Sequence, residues 1–383
     1  MVVSAQRLKS FDTNLPADSV EFCPSPGHWE YFVCGTYQLQ QETTTTETTG
    51  EQEAERTDNG VKRRTAQTRV GQCMLMRASP SGEFEHLQSV DMPAILDMKW
   101  SHSSTPSPLL AIADAVGALR FYNLNDAANE SRAALHEFQV LQATESSNIC
   151  LSLDWSDRLT SNSLEYRKVV ASISNGRLLV ADPVNGEYAV TRDWHAHDYE
   201  PWIAAWGWSP DIVHSGGDDL CWKGWDLRTD LATPMFQNKR SFEGGVTSIQ
   251  CHPQREHYIA VGSYDSHVRI FDVRQPFKPM VTTNVGGGGW RVKWNPSSST
   301  RKDDLLVACM HDGFKIIRHS LNGEPSSISS TPDGDGEASI VVKFDDHASL
   351  AYGADWYHGE EQEGTTLAAS CSFYDHCLMT WRG

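Results

Sequence analysis

The sequence predicts an all-β fold of seven repeated sheets, the last closing on the first. Three observations carry that prediction. One phrase recurs, an apolar strand ending in an aromatic or cysteine that Ser, Asn, His or Pro follows: SVEFCP (19–24), ILDMKWS (95–101), CLSLDWS (150–156), IAAWGWSP (203–210), VTSIQCHP (246–253), WRVKWNP (290–296) and YGADWYH (352–358). Each copy leads to a second strand closing on a small-residue turn: VCGTY, LAIADAVG, VASISNG, VHSGGDD, AVGSYD, VACMHDG and ASCSFYD. The copies recur every roughly 40–60 residues, the period of a repeat architecture with loop insertions. Finally, 39% hydrophobic and 21% charged residues describe a folded protein, and 383 residues suit one large β architecture or two domains.

The elements follow in order. The first repeat is interrupted by 40–69 (QQETTTTETTGEQEAERTDNGVKRRTAQTR), a polar low-complexity stretch expected to be a disordered insertion between strands. The second and third repeats are degenerate, with Val116 and Asn175 where a turn aspartate is expected. The fourth and fifth are the clearest, SGGDDLCWKGWD and GSYDSHVRIFD, and their third strands read CWKGWDLR (221–228) and VRIFDVR (268–274). In the sixth, GGGGW (286–290) leads in, and STPDGDGEA (330–338) reads as a polar loop. Residues from about 2 to 11 are expected to supply the outer strand of the seventh repeat, which removes an exposed sheet edge. The pattern resembles a seven-bladed WD-repeat β-propeller, expected to form a single unit over 1–383 closed by an N-terminal strand.

The net charge of −18 argues against nucleic-acid binding, which needs clustered Lys and Arg, and favours a basic protein partner. The nine cysteines include no C-x-x-C pair and sit mostly in apolar runs, so neither a disulfide framework nor a zinc ribbon is expected. MVVSAQRLKSFDTN has no apolar segment of a signal peptide, and no run reaches membrane-spanning length. A cytoplasmic protein without membrane contact is expected. A closed ring needs no second copy to cover an edge, so a monomer is expected too.

The candidate site residues divide by duty. WD repeats use a His in the loop leading into a blade, an Asp in the turn between the second and third strands, and a Trp on the third strand, bonded to one another. Asp219, Asp265, Asp312 and Asp375 fit the turn position, Trp225 the third strand, and His197 the loop; His195 reads as solvated. The residues just before those turns owe nothing to the blade's own bonding: Ser174, Asp218, Tyr264, His311 and Tyr374. Leading loops on the same face add Asp18, Glu200, Trp202, Trp290 and Arg291. In a propeller these positions converge around the mouth of the central channel. The four glycines before Trp290 would let backbone N–H groups approach a ligand, or simply form a tight loop; without G-x-x-x-x-G-K-[ST] they are not a nucleotide loop.

Several phrases exceed the generic repeat. LPADSVEFCP, VCGTYQL, AILDMKWS, LSLDWS, AHDYEPWIAAW, SGGDD, GSYDSHV, GGGGWRVKW, ACMHDGFKI, YGADW and CSFYDH, in order through all seven repeats, together resemble the diphthine methylesterase family, eukaryotic WD-repeat proteins of the diphthamide pathway. The resemblance implies hydrolysis of the methyl ester of methylated diphthine, a modified histidine on translation elongation factor 2, to diphthine and methanol. It implies no metal and no organic cofactor.

Ester hydrolysis needs a nucleophile, a base and donors for the oxyanion. With no G-x-S-x-G elbow, a Ser or Cys near the turns (Ser263, Cys309, Cys371, Ser372) or a water activated by a His or carboxylate remains. The second is favoured, because those serines and cysteines fall on small-residue core positions. His311 is the first choice of base, with Glu200 or Asp218 orienting it; His376 and His197 are further candidates, and Arg291 or the glycine amides would face the oxyanion. The implied substrate carries a trimethylammonium group, which aromatic faces hold, so Trp202, Tyr264, Trp290 and Tyr374 are placed to build a cage with Asp18 nearby. Two other readings stay open: a non-enzymatic scaffold, and a metal hydrolase using His195, His197 and Asp218.

Overall fold

The structure is a computed structural model. It describes every residue except 1, 41–67, 104, 106, 127–131, 159–166, 297–300 and 322–336. Seven antiparallel sheets stand in a ring as blades. Their innermost strands, around the central channel, are Ala17–Phe22, Ile95–Trp100, Cys150–Trp155, Ile203–Trp206, Val246–Cys251, Arg291–Trp294 and Ala351–Trp356, and blades 1 to 7 are numbered in that order. All seven begin at the recurring phrases of the sequence.

The N-terminal segment closes the ring. Arg7–Asp12 pairs antiparallel with Cys377–Arg382 as the outer strand of blade 7. Two residues further out, Val3–Ser4 adds a parallel strand to Glu337–Phe344 of blade 6, an extra tie not anticipated from the sequence. Most of the polar insertion, 41–67, lies outside the described residues, as does 322–336, which holds most of the second polar loop. The insertion's ends are narrower than the composition shift suggested. The amide of Gln40 donates to Thr68 O at 2.9 Å, and Arg69 already begins the long strand Arg69–Ala78.

The second strands of the blades, such as Leu109–Asp114 and Val169–Ile173, are buried along their whole length, and apolar side chains pack between neighbouring blades rather than in one centre. The buried clusters of the described residues fall one to each interface: Leu110 and Ile112 of blade 2 pack on Val33 and Leu75 of blade 1, and Trp206 and Trp225 of blade 4 on Val170 and Val180 of blade 3. Each fully buried tryptophan contributes on the order of 2–3 kcal/mol.

A repeated stitch joins the blades near the channel. The tryptophan ending an inner strand donates its indole N–H to a carbonyl of the preceding blade: Trp100 to Glu21 (3.1 Å), Trp155 to Lys99 (2.7 Å), Trp206 to Asp154 (3.1 Å), Trp294 to Gln250 (3.0 Å) and Trp356 to Lys293 (3.0 Å). Phe22 and Cys251 hold that place in blades 1 and 5. The residue before that position often adds a side-chain acceptor. Asp154 takes the Trp206 amide at 2.8 Å, Gln250 the Trp294 amide at 2.6 Å, and Asp355 the Phe22 amide at 2.8 Å, closing blade 7 onto blade 1.

Candidate functional site

The inner strands stack side chains around the channel in tiers, and a shared irregularity sets the uppermost. In blades 1, 2, 3, 5 and 7 the pairing register shifts at the start of the inner strand, across Ala17/Ser19, Ile95/Asp97, Cys150/Ser152, Val246/Ser248 and Ala351/Ala354. A bulge leaves one residue unpaired and re-aims it. Those residues include Asp18, Leu96, Leu151, Thr247 and Tyr352. In blades 4 and 6 the corresponding residues, Trp202 and Trp290, lie just before a strand without a shift. The rim therefore carries one acid and three large aromatics.

These aromatics meet. The rings of Trp202 and Trp290 are 5.6 Å apart, across blade 5, where the rim residue is the small Thr247. Trp290 also contacts Tyr264 edge-on at 6.4 Å and Tyr352 at 5.1 Å. The chain of rings continues from Tyr352 to Phe373 at 5.1 Å and on to Tyr374 at 5.0 Å. Tyr264 and Tyr374 are 50% and 71% exposed, so their faces remain open to a ligand. The indole N–H of Trp290 is buried and finds no acceptor among the described residues.

Beside the aromatics are Asp18 and, one residue past Trp290, Arg291, both buried. Arg291 donates to Leu96 O at 3.1 Å, lies 3.6 Å from Asp97, and sits 5.8 Å from the Trp290 ring. Asp97 is ionised: burial works against its charge, but Lys99 at 2.5 Å and Arg291 outweigh it. Asp18 lacks such support. Burial raises its carboxyl to about 7, with Asp97 pushing the same way and Arg291 opposing. The Tyr352 hydroxyl is pushed up by burial and by Asp18, and stays a neutral donor.

Lower in the channel is a cavity of about 260 Å³. Its charges are largely spent on one another: Glu21 with Lys99 (2.8 Å) and Lys293 (2.7 Å), and Lys293 with Asp355 (3.6 Å). With Asp154, Gln250 and Asp355 also serving as stitches, this tier is structural wiring.

The other candidates fall elsewhere. His197 is 1% exposed, bonded through Nδ1 to Asp219 at 2.9 Å and through Nε2 to Ser215 at 2.7 Å, and Trp225 donates to the same Ser215 at 2.9 Å. That complete blade-4 network removes His197 from the catalytic set. Burial alone would raise the Asp219 carboxyl, but His197 and Lys223 outweigh it and hold it at about 2. His376 occupies a left-handed turn position (φ 54°), its carbonyl accepting from Thr13. Gly117, Gly176, Leu220, Ser266 and Gly313 hold the same place in other blades, so the turn accounts for His376 without chemistry.

Glu200 and Asp218 are exposed neighbours on blade 4, the Asp218 amide donating to Glu200 O at 3.0 Å. His311 stands two blades away, in a shallow hollow it shares with Asp345, His347 and Tyr374. No hydrogen bond or ion pair joins it to Glu200 or Asp218, which corrects the expectation that one of them orients it. His195 lies 3.8 Å from Asp198 at the surface. Among the described residues no group of three or more His, Cys, Asp or Glu could hold a metal ion, so His195, His197 and Asp218 do not assemble one.

The glycine run answers a steric demand. A Cβ at Gly287 would stand 2.0 Å from Cys309 O, and one at Gly286 1.8 Å from the Asp312 carboxylate. Gly286 and Gly289 spend their amides on Asn284 and Ser263; no hydrogen bond reaches those of Gly287 and Gly288 among the described residues.

No family model matches the chain. Among curated proteins it is 37% identical over 357 residues to diphthine methyltransferase of Homo sapiens, covering 91% of this chain and 74% of that one. It is 32% identical over 396 residues to the diphthine methyltransferase homolog of Dictyostelium discoideum, covering 95% and 96%. The chain belongs to the diphthine methyltransferase family. Its fission-yeast relative, 31% identical, covers 75% of this chain and 78% of its own length. Of the solved structures, a chain in a crystal structure of the mitotic checkpoint complex superposes with a TM-score of 0.66 at 13% identity, covering 100% of this chain and 93% of that one, which shows the fold alone. The family consists of enzymes by name, so the scaffold reading is not favoured.

In this family member the mouth includes two aromatics that sequence reasoning missed, Tyr352 and Phe373. Both lie inside quoted phrases, YGADW and CSFYD, but only the bulge brings Tyr352 to the rim. Blade 7 likewise has an unread network: Trp381 donates to Ser370 (3.1 Å), and His347 bridges Ser370 (2.8 Å) and Ser372 (2.5 Å), which bonds to Asp375.

Proposed function

We propose that this enzyme hydrolyses the methyl ester of methylated diphthine on translation elongation factor 2, releasing methanol and leaving diphthine. The methyl group named in the family passes, in this reading, from the ester to water. The aromatic mouth beside a buried carboxylate and arginine carries the proposal. Trp202, Trp290, Tyr352, Tyr264 and Tyr374 suit a quaternary ammonium, which aromatic faces attract by about 0.5–2 kcal/mol each as water is excluded. Asp18 supplies negative charge at the same place. Arg291, the orphaned Trp290 indole N–H and the amides of Gly287 and Gly288 are donors for the charge that develops on an ester carbonyl. Around this centre, Asp198, Glu200, Asp218, Glu243, Asp345 and Asp346 give the exposed face an acidic border suited to a basic protein surface. Glu200 and Asp218 serve there as docking charges. No cofactor enters the reaction, and the setting is the cytoplasm, where a monomer suffices.

The test is methanol release from methyl-esterified elongation factor 2. One methanol per modified side chain, with the matching mass loss of the factor, is expected. An unchanged ester after prolonged incubation would overturn the assignment.

A further inference from the structure

Asp18 is the anomaly of the mouth. It is 5% exposed, yet among the described residues its carboxylate accepts no hydrogen bond and forms no ion pair. Other acids of the channel are engaged: Asp97 by Lys99, Leu153 and Arg291, Glu21 by two lysines, and Asp355 by Phe22 and Lys293. Buried polar groups are nearly always bonded, and an exception calls for a reason. The bulge at Ala17/Ser19 spends backbone pairing to turn this side chain out of the ladder, a device common beside active sites.

Resting on the hydrolase reading above, we propose that Asp18 is the general base of the reaction, taking the proton of the attacking water at the aromatic mouth. Its bare carboxylate can accept that proton without first breaking another bond. The charged and titratable groups around it are Arg291 from blade 6, Asp97 from blade 2, and Tyr352 and Cys371 from blade 7. Together they leave it near neutrality, where a base is most effective.

The step balances. Water oxygen bonds to the ester carbonyl carbon as its proton passes to Asp18, and the carbonyl electron pair becomes an oxyanion facing Arg291. Collapse re-forms the carbonyl, breaks the bond to the methoxy oxygen, and returns the proton from Asp18 to that oxygen as methanol. The new carboxylic acid then loses its proton to solvent. His311, on an exposed turn with no hydrogen bond to its ring among the described residues, is left out of the proton path.

The experiment compares the full-length enzyme with Asp18→Asn, Asp18→Ala and His311→Ala on methyl-esterified elongation factor 2. Asp18→Asn should lower methanol release at saturating esterified factor at least about 100-fold. Sodium formate should restore part of the Asp18→Ala rate, which a merely structural loss would not allow. The wild-type rate should rise with pH to a plateau above about pH 7. Asp18→Asn turning over within threefold of wild type, or a loss in His311→Ala alone, would overturn the inference while leaving the hydrolase reading intact. An Asp18→Ala loss that formate cannot rescue, with substrate binding also lost, would overturn it as well. Failure of the wild type to release methanol would remove both.

Discussion

A buried carboxylate without partners should weaken the fold, and that cost is measurable apart from any activity. In the folded chain the Asp18 carboxyl lies at about 7 against 3.8 in the open chain. Folding thus favours its protonated form. Its contribution is neutral below about pH 4, and ionisation destabilises progressively as pH rises, fully so above about pH 7. A shift of about 3 units corresponds to at most about 4 kcal/mol. Asn has a similar shape and no charge, so Asp18→Asn should gain stability over wild type as pH rises. Between pH 5 and pH 8 the advantage should grow by about 2–3 kcal/mol. Other titrating groups, Asp355 among them, are common to both proteins and cancel in the difference. Urea unfolding of the two proteins at pH 5, 6, 7 and 8, followed by tryptophan fluorescence, reads it directly. Parallel stability profiles would refute the reasoning, because they would mean that Asp18 is solvated or paired. A residue that weakens the fold at the pH where it is charged is one retained for function.

Three further outcomes follow from the same geometry. Trp290→Ala or Tyr352→Ala should slow hydrolysis of the quaternary ammonium ester at least 10-fold more than that of a neutral methyl ester, measured as kcat/KM; equal losses on both would remove the cage. His197→Ala strips partners from Asp219 and Ser215 and should cost about 2–4 kcal/mol in denaturant unfolding, while methanol release per folded molecule stays near wild type. Lys293→Met leaves Asp355 unpaired and Glu21 with one lysine, and should destabilise by about 3–5 kcal/mol; a drop below 1 kcal/mol would show that water screens the lower channel.

The architecture was legible because each blade writes its pattern locally. The apolar alternation, the small-residue turns and the closing strand all lie within a few residues of one another, and Asp219 with His197 could be paired from the repeat alone. The mouth was legible only in part. Asp18, Trp202, Trp290, Arg291 and Tyr264 do converge, because positions equivalent in the repeat converge in the ring. Tyr352 escaped because a bulge is a register event between two strands, with no marker in one strand's sequence. Lys99, Lys293 and Glu21 look like ordinary solvent-facing alternation; their pairing depends on which blades adjoin. In blade 2 the turn lacks its aspartate, yet Asp114, two residues earlier, bonds the amides of Val116 and Ala118 and pairs with Arg120 at 2.9 Å, a substitution across strands that position counting does not reveal. His311 suits a base by its chemistry, but chemistry alone does not say what orients a ring.

Among the described residues the strand Arg7–Asp12 pairs only with Cys377–Arg382. During synthesis it leaves the ribosome almost a whole chain before that partner exists. Blades 1 to 6 can assemble in turn, each against its predecessor, but the ring stays open until the final strand of blade 7 is released. Until then Arg7–Asp12 is an unpaired edge, the kind of edge that can pair with another chain. A ribosome stalled short of residue 377 would hold Arg7–Asp12 in that state.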